Sequence, residues 1–397
     1  MESPAAAPAT PRAPRFDGAV RLSVVYALIF AGTGVSLPFI TPWFSAHGLT
    51  GAEIGVVLGA PMLARVVTSP LIAVWADSFR LRRTALAILA AVAMAGYAGV
   101  GLTRGLGPWL LLWLIGQTAA ASMVPLTDVL CLRRARREGF AFGGPRGMGS
   151  LAFIVANVAM GGLMAAYGVD LVIIWIALAA GLAALASALV LPPEPVHEDG
   201  PVSRAERFKG LGRLMADPLF LTAILSIGLI QATHAFLYAF ATVSWKAQGI
   251  SDGMVGLLWG AGVAAEIVFL WFLEPWRRRM GAWNLLILAA VAGMVRWTAM
   301  AFAPPLWLLW PLQVLHALTF AAGFVGGLQI VERLSPPESV SAAQTLSSAL
   351  SSGVLIGAAT MISGALFDRY GAGGYLAMSV LSLGGLAGVV MLKRRVG

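Results

Sequence analysis

Long apolar stretches almost free of charge limit what this chain can fold into more than any other feature. A helix needs roughly 20 apolar residues to cross a bilayer. Stretches of that length cover Leu22–Pro42, Ile54–Ala76, Thr84–Thr103, Pro108–Leu132, Gly147–Val169 and Leu171–Leu191. After a polar segment, six more cover Pro218–Trp245, Gly253–Leu273, Ala282–Ala303, Pro305–Gln329, Val340–Phe367 and Gly371–Leu392. The expectation is an all-α integral membrane protein with twelve transmembrane helices. Only 11% of the 397 residues are charged, against roughly a quarter in a soluble domain. The boundaries expected are a disordered cytoplasmic tail over 1–20, a six-helix bundle over 21–191, a cytoplasmic linker over 192–217, a second bundle over 218–392 and a short tail over 393–397.

Basic residues set the orientation, because loops rich in Lys and Arg stay in the cytoplasm. With the N-terminus inside, 22 of the 27 fall on the cytoplasmic side and only Arg104, Lys246 and Arg369 fall outside. The expected location is therefore the inner membrane, with both termini cytoplasmic. This placement also accounts for the net charge of +9 without a nucleic-acid partner. The lone Cys131 rules out a disulfide within the chain and a cysteine-based zinc site. No Gly-x-Ser-x-Gly, His-Glu-x-x-His or phosphate-binding Gly-rich loop is present. The chain thus reads as a non-enzyme without a cofactor, working as a monomer in the lipid bilayer on a small molecule.

The two halves repeat at an offset of about 201 to 203 residues. Gly48-Leu-Thr-Gly-Ala-Glu-Ile-Gly matches Gly249-Ile-Ser-Asp-Gly-Met-Val-Gly, and Gly162-Leu-Met-Ala-Ala-Tyr-Gly168 matches Ala365-Leu-Phe-Asp-Arg-Tyr-Gly371. Glycines four apart, as at Gly51, Gly55 and Gly59, let helices approach closely.

Six ionisable residues interrupt the spans: Arg65, Asp128, His234, Glu266, Arg296 and His316. A charge at the bilayer centre costs roughly 2.5–3.5 kcal/mol, so each needs a partner or a wet cavity. Arg65 lies roughly 18 Å along its helix from both Glu53 and Asp77, near mid-membrane. It is a candidate for holding a substrate carboxylate, or a structural pair with a neighbouring helix. Low dielectric favours the neutral form of a carboxyl group and an approaching guanidinium favours the charged form. Movement of Arg296 relative to Glu266 could then load and release a proton; a static Glu266–Arg296 ion pair is the rival. Asp128 fits either the headgroup zone or a pair with Arg146 near a cavity. His234 fits a hydrogen-bonded structural role or a proton relay.

Six-helix halves repeating in one orientation resemble the major facilitator superfamily. The segment Ala73-Val-Trp-Ala-Asp77-Ser-Phe-Arg80-Leu-Arg82-Arg83 resembles that superfamily's loop after the second helix. The resemblance implies that Asp77, Arg80, Arg82 and Arg83 form a cytoplasmic gate that latches the halves, although Ala73, Ser78 and Arg80 depart from the pattern. Pro125-Leu-Thr-Asp128, Phe142-Gly-Gly-Pro-Arg146, Val295-Arg296-Trp297 and Leu312-Gln-Val-Leu-His316 resemble the phenylpropionate-permease branch. That branch is similar to the lactose-permease and nucleoside–proton symporter group. Glu266, Arg296 and His316 resemble the proton site of the lactose-permease group, with Thr319 where that group has a further carboxylate. The resemblance also implies that the first and seventh helices line a cavity, where Tyr26, Phe30, Phe236 and Tyr238 could stack on an aromatic substrate or simply pack. The leading expectation is proton-coupled symport of a small organic anion, such as an aromatic carboxylate, by alternating access. Export of hydrophobic drugs or metabolites, sugar or nucleoside symport, and a non-transporting membrane sensor are the alternatives.

Overall fold

The computed structural model describes residues 17–196, 211–336 and 339–396. The expected N-terminal tail up to residue 16 and the linker over 197–210 lie outside the described residues. The first half holds α1 (Asp17–Ala46), α2 (Gly51–Ala76), α3 (Arg82–Leu102), α4 (Leu106–Glu138), α5 (Gly143–Tyr167) and α6 (Leu171–Leu189). The second half starts with α7, broken into Pro218–Ala232 and Ala235–Ala247, then α8 (Asp252–Phe272) and α9 (Ala282–Ala301). Next is α10, made of Leu306–Val314, a π-helical turn Ala317–Ala322 and Gly323–Arg333. Then come α11, made of Val340–Ser348, a π-helical stretch Ala349–Leu355 and Ile356–Tyr370, and α12 (Tyr375–Val396).

Among the described residues eleven apolar helical stretches are long enough to cross a membrane, the last being the 55 residues Ala342–Val396. A single helix of that length would measure roughly 80 Å, far more than a bilayer core. It reverses at Gly371, whose φ of 54° is left-handed, and so makes two crossings. The described chain therefore crosses twelve times, with both ends on one side, called here the termini side.

Helices reach further than the apolar stretches that mark them. The first starts at Asp17 rather than after residue 20, α4 continues through Arg133–Glu138, and α12 continues through Lys393–Arg395. The physical reason is that charge ends an apolar stretch without ending a helix. Basic side chains are favourable in a helix's last turn. The chain turns out of α4 only at Gly139, in the left-handed conformation.

The repeat is visible in the helix caps. Thr50 and Ser251, 201 residues apart, cap α2 and α8 with side-chain oxygens that accept from Glu53 N and Met254 N. Each capped helix packs on a helix of the other half, α2 on α11 and α8 on α5. At the side opposite the termini, the two backbones meet at Gly51 and Gly364. A Cβ on Gly364 would stand 2.2 Å from the Gly51 carbonyl oxygen. Asp368, one turn beyond Gly364, accepts from Gly51 N at 2.7 Å and Ala52 N at 2.8 Å. The second half thus satisfies two of the four free N–H groups that open α2. Across α5 and α8, a Cβ on Gly161 would likewise stand 2.4 Å from the Asp252 carbonyl oxygen.

The loop expected to act as a gate grips the linker. Arg82 donates to Glu194 O at 3.0 Å through its backbone N–H and to Val196 O at 2.9 Å through Nη2. Arg83 donates to Leu191 O at 3.1 Å, and the Arg80 carbonyl accepts from Val196 N. Asp77 forms the C-terminal cap of α2. Glu194 is fully buried, with Arg134 Nε 2.5 Å and Arg137 Nη1 3.8 Å from its carboxylate. These bonds hold the start of the linker against the first half.

Candidate functional site

Between the halves lies a cavity of about 720 Å³, counting the space at its mouth. That is within the range for small-molecule sites. The first half contributes Phe30, Arg146 and Phe153, and the second Tyr238, Trp259, Glu266, Arg296, Gln313, His316 and Phe320, among others. The wall is mainly apolar, with Phe30, Phe153, Tyr238, Trp259 and Phe320 as its aromatic part, and its charges are confined to two facing groups.

The second-half group is built on α9 and α10. Arg296 is fully buried and lies 4.7 Å over the Trp297 ring. It donates from Nη2 to Gln313 Oε1 at 2.5 Å, and from Nη1 to Thr319 Oγ1 at 2.9 Å and to His316 Nδ1 at 3.3 Å. Guanidinium groups only donate, so His316 Nδ1 accepts and the ring proton sits on Nε2. That nitrogen faces Glu266 Oε2 at 3.7 Å. Glu266 thus meets Arg296 through the imidazole, and among the described residues the rival arrangement, a direct Glu266–Arg296 ion pair, is not present. Arg296 has no carboxylate within ion-pair distance among the described residues. Burying it without an anion is costly, and only neutral acceptors offset that cost. The π-helical turn beginning at Ala317 lets His316 and Thr319 both reach Arg296, while Phe320 stacks on His316 at 5.3 Å and 4°.

The first-half group is Arg146 with its supports. Its guanidinium lies 4.4 Å over the Phe30 ring, and its Nε is 3.7 Å from Asp128 Oδ1. The same carboxylate oxygen accepts from Tyr26 OH at 2.5 Å. Asp128 is therefore Arg146's counter-ion. Phe30 fits because Gly149 carries no side chain; a Cβ there would come within 2.9 Å of the ring. Arg146 and Glu266 line the same cavity from opposite halves, close enough to interact electrostatically.

Other expected site residues lie elsewhere. Arg65 does not line the cavity and forms no hydrogen bond or ion pair with the described residues. The helix repeat gives it the register of Glu266, but the cavity is set toward the second half and leaves α2 against α11. Phe236 is fully buried against Tyr375, Phe240 and Phe367, so it packs. Tyr26 and His234 are fully buried behind the wall. Sequence reasoning missed Phe153, Trp259 and Phe320, which look like any apolar span residue. It also missed Gln313, whose position three before His316 marks the same helix face. Among the described residues no cluster of His, Cys, Asp or Glu is placed to hold a metal.

Residues 19–376 match the MFS_1 like family. The chain is 30% identical over 371 residues to a probable 3-phenylpropionic acid transporter of Escherichia coli (strain K12), covering 91% of this chain and 94% of that one. It is 29% identical over 377 residues to a maltose permease of Geobacillus stearothermophilus, covering 93% of each. The solved structure of the nucleoside transporter NupG superposes with a TM-score of 0.82 at 17% identity, covering 95% of this chain and 98% of that one, a likeness of fold. Helices, repeat, cavity and relatives agree: the chain belongs to the MFS_1 like family and is a multi-pass membrane transporter of the major-facilitator type, not an enzyme.

Proposed function

We propose that the chain is a proton-coupled symporter of small organic anions, with an aromatic monocarboxylate as the best-fitting substrate. The observation that carries this is the balance of charge around the cavity. Arg146 and Arg296 are matched by Asp128 and Glu266, and of the two acids Glu266 stands on the wall itself. One proton on Glu266 leaves one positive charge in excess, which one carboxylate neutralises. The loaded cavity is then electrically neutral and can cross between states at low cost. Phe30, Phe153, Trp259 and Phe320 offer faces for an aromatic body. The relative named for 3-phenylpropionic acid supports the same class. The charge distribution along the chain supports cytoplasmic termini in an inner membrane, and the coupling ion is the proton.

Purified protein screened for thermal stabilisation is expected to respond to 3-phenylpropionate and similar monocarboxylates more strongly than to maltose or xanthosine. The response should weaken as pH rises, because binding takes up a proton. Stabilisation by the sugar or the nucleoside alone would reject the carboxylate assignment.

A further inference from the structure

We infer that His234 is a positioning residue for Arg296, acting through the Thr319 hydroxyl, and that it ties the charge site to the break in α7. This rests on the proton-coupled reading. His234 stands where α7 is interrupted between Ala232 and Ala235. It is fully buried, with Trp297, His316, Phe320 and Tyr238 around its ring at centroid distances of 5.3 to 5.7 Å.

The direction of each hydrogen bond is fixed by chemistry. His234 Nδ1 is 3.1 Å from the Gln231 carbonyl oxygen. A carbonyl only accepts, so Nδ1 carries the proton and Nε2 carries a lone pair. That lone pair faces Thr319 Oγ1 at 3.1 Å, nearer than the His316 carbonyl at 3.4 Å, so the threonine hydroxyl donates to His234. The threonine oxygen then accepts from Arg296 Nη1. The chain therefore runs from Arg296 to Thr319 to His234 to the Gln231 carbonyl, with a permanent donor at one end and a permanent acceptor at the other. A doubly protonated His234 would donate to Thr319 instead, turning the hydroxyl proton toward the His316 carbonyl at 3.4 Å and reversing that link. While it accepts from Thr319, His234 Nε2 carries no proton.

The chain keeps Arg296 away from Glu266. The groups that face Glu266 are Arg146 from α5, His316 from α10 and Tyr238 from α7, and Arg296 from α9 lies behind His316. Arg296 is the one whose distance the chain controls. Without the Thr319 bond, Nη1 keeps only His316, and the guanidinium, still held at Nη2 by Gln313, can pivot toward the carboxylate. A closer cation favours ionised Glu266, so the proton binds only at lower pH. Rotation of α7 at its break would pull His234 from Thr319 and have the same effect. In this way a helix movement becomes proton release.

The test is the pH profile of 3-phenylpropionate uptake by purified protein in liposomes. Thr319→Val and His234→Asn remove the hydroxyl and its acceptor. Each is expected to move the midpoint of the profile about one unit to lower pH, a tenfold change in proton affinity. Thr319→Ser restores the hydroxyl, and the longer amide of His234→Gln returns an acceptor; both should keep the wild-type midpoint. The Thr319→Val/His234→Asn double variant should shift no further than either single, since both act in one chain. A uniform loss of rate in Thr319→Val and His234→Asn, with the midpoint unmoved, overturns the inference and leaves proton coupling standing. A wild-type profile independent of pH rejects the proton-coupled reading, and the inference with it.

Discussion

Glu266→Gln is expected to abolish accumulation driven by a pH gradient while leaving counterflow exchange near the wild-type rate. The amide has the shape of the protonated acid and is permanently neutral. In the variant the loaded cavity keeps its balanced charge, so the substrate still binds and the halves still exchange. What is lost is the release of a proton on the other side. With one proton per solute, a gradient of about two pH units sustains up to ~100-fold accumulation, since each unit is ~1.4 kcal/mol. In Glu266→Gln the ratio should fall to about one. Accumulation by this variant at the wild-type ratio would show that the proton travels elsewhere.

Gly364→Leu is expected to stop both accumulation and counterflow while preserving substrate binding. Closing the side opposite the termini requires Gly364 and Gly51 to meet backbone to backbone, and any Cβ on Gly364 would fall 2.2 Å from the Gly51 carbonyl oxygen. No rotamer relieves that overlap, because the obstructing atom is main chain. Overpacking of this kind costs about 1–3 kcal/mol or more, a tenfold to hundredfold shift away from the closed state. Gly162→Leu is the control, since a Cβ at that position meets nothing within 4 Å and transport should persist. A Gly364→Leu protein that exchanges substrate at the wild-type rate would mean that this contact is not part of the cycle.

How much was legible in the sequence depended on the range of the interaction. Apolar stretches and matched motifs declare membrane helices locally, so the crossings and the repeat could be read directly. The grouping of Glu266, Arg296 and His316 was also legible, because charges in a membrane must find one another. What the sequence conceals is the geometry between helices. Arg65 matches Glu266 in register, yet the cavity does not reach it. Thr319 reads as a missing carboxylate, and only the π-helical turn of α10 turns it into a ligand for Arg296. The choice between ion pair and imidazole bridge at Glu266 is made by a few ångströms of side-chain placement. Glu194 carries no sign of burial in a linker rich in charge and proline. Helix ends at Glu138 and Val396 were hidden because charge ends an apolar stretch without ending a helix.

The most direct test of proton-coupled transport is simultaneous recording of substrate and proton flux in liposomes containing the purified protein. With no imposed gradient, inward flow of 3-phenylpropionate should carry protons with it, one per substrate, and should acidify the lumen without creating a membrane potential. Substrate entry with no accompanying proton movement, or entry that generates a potential, would contradict the account.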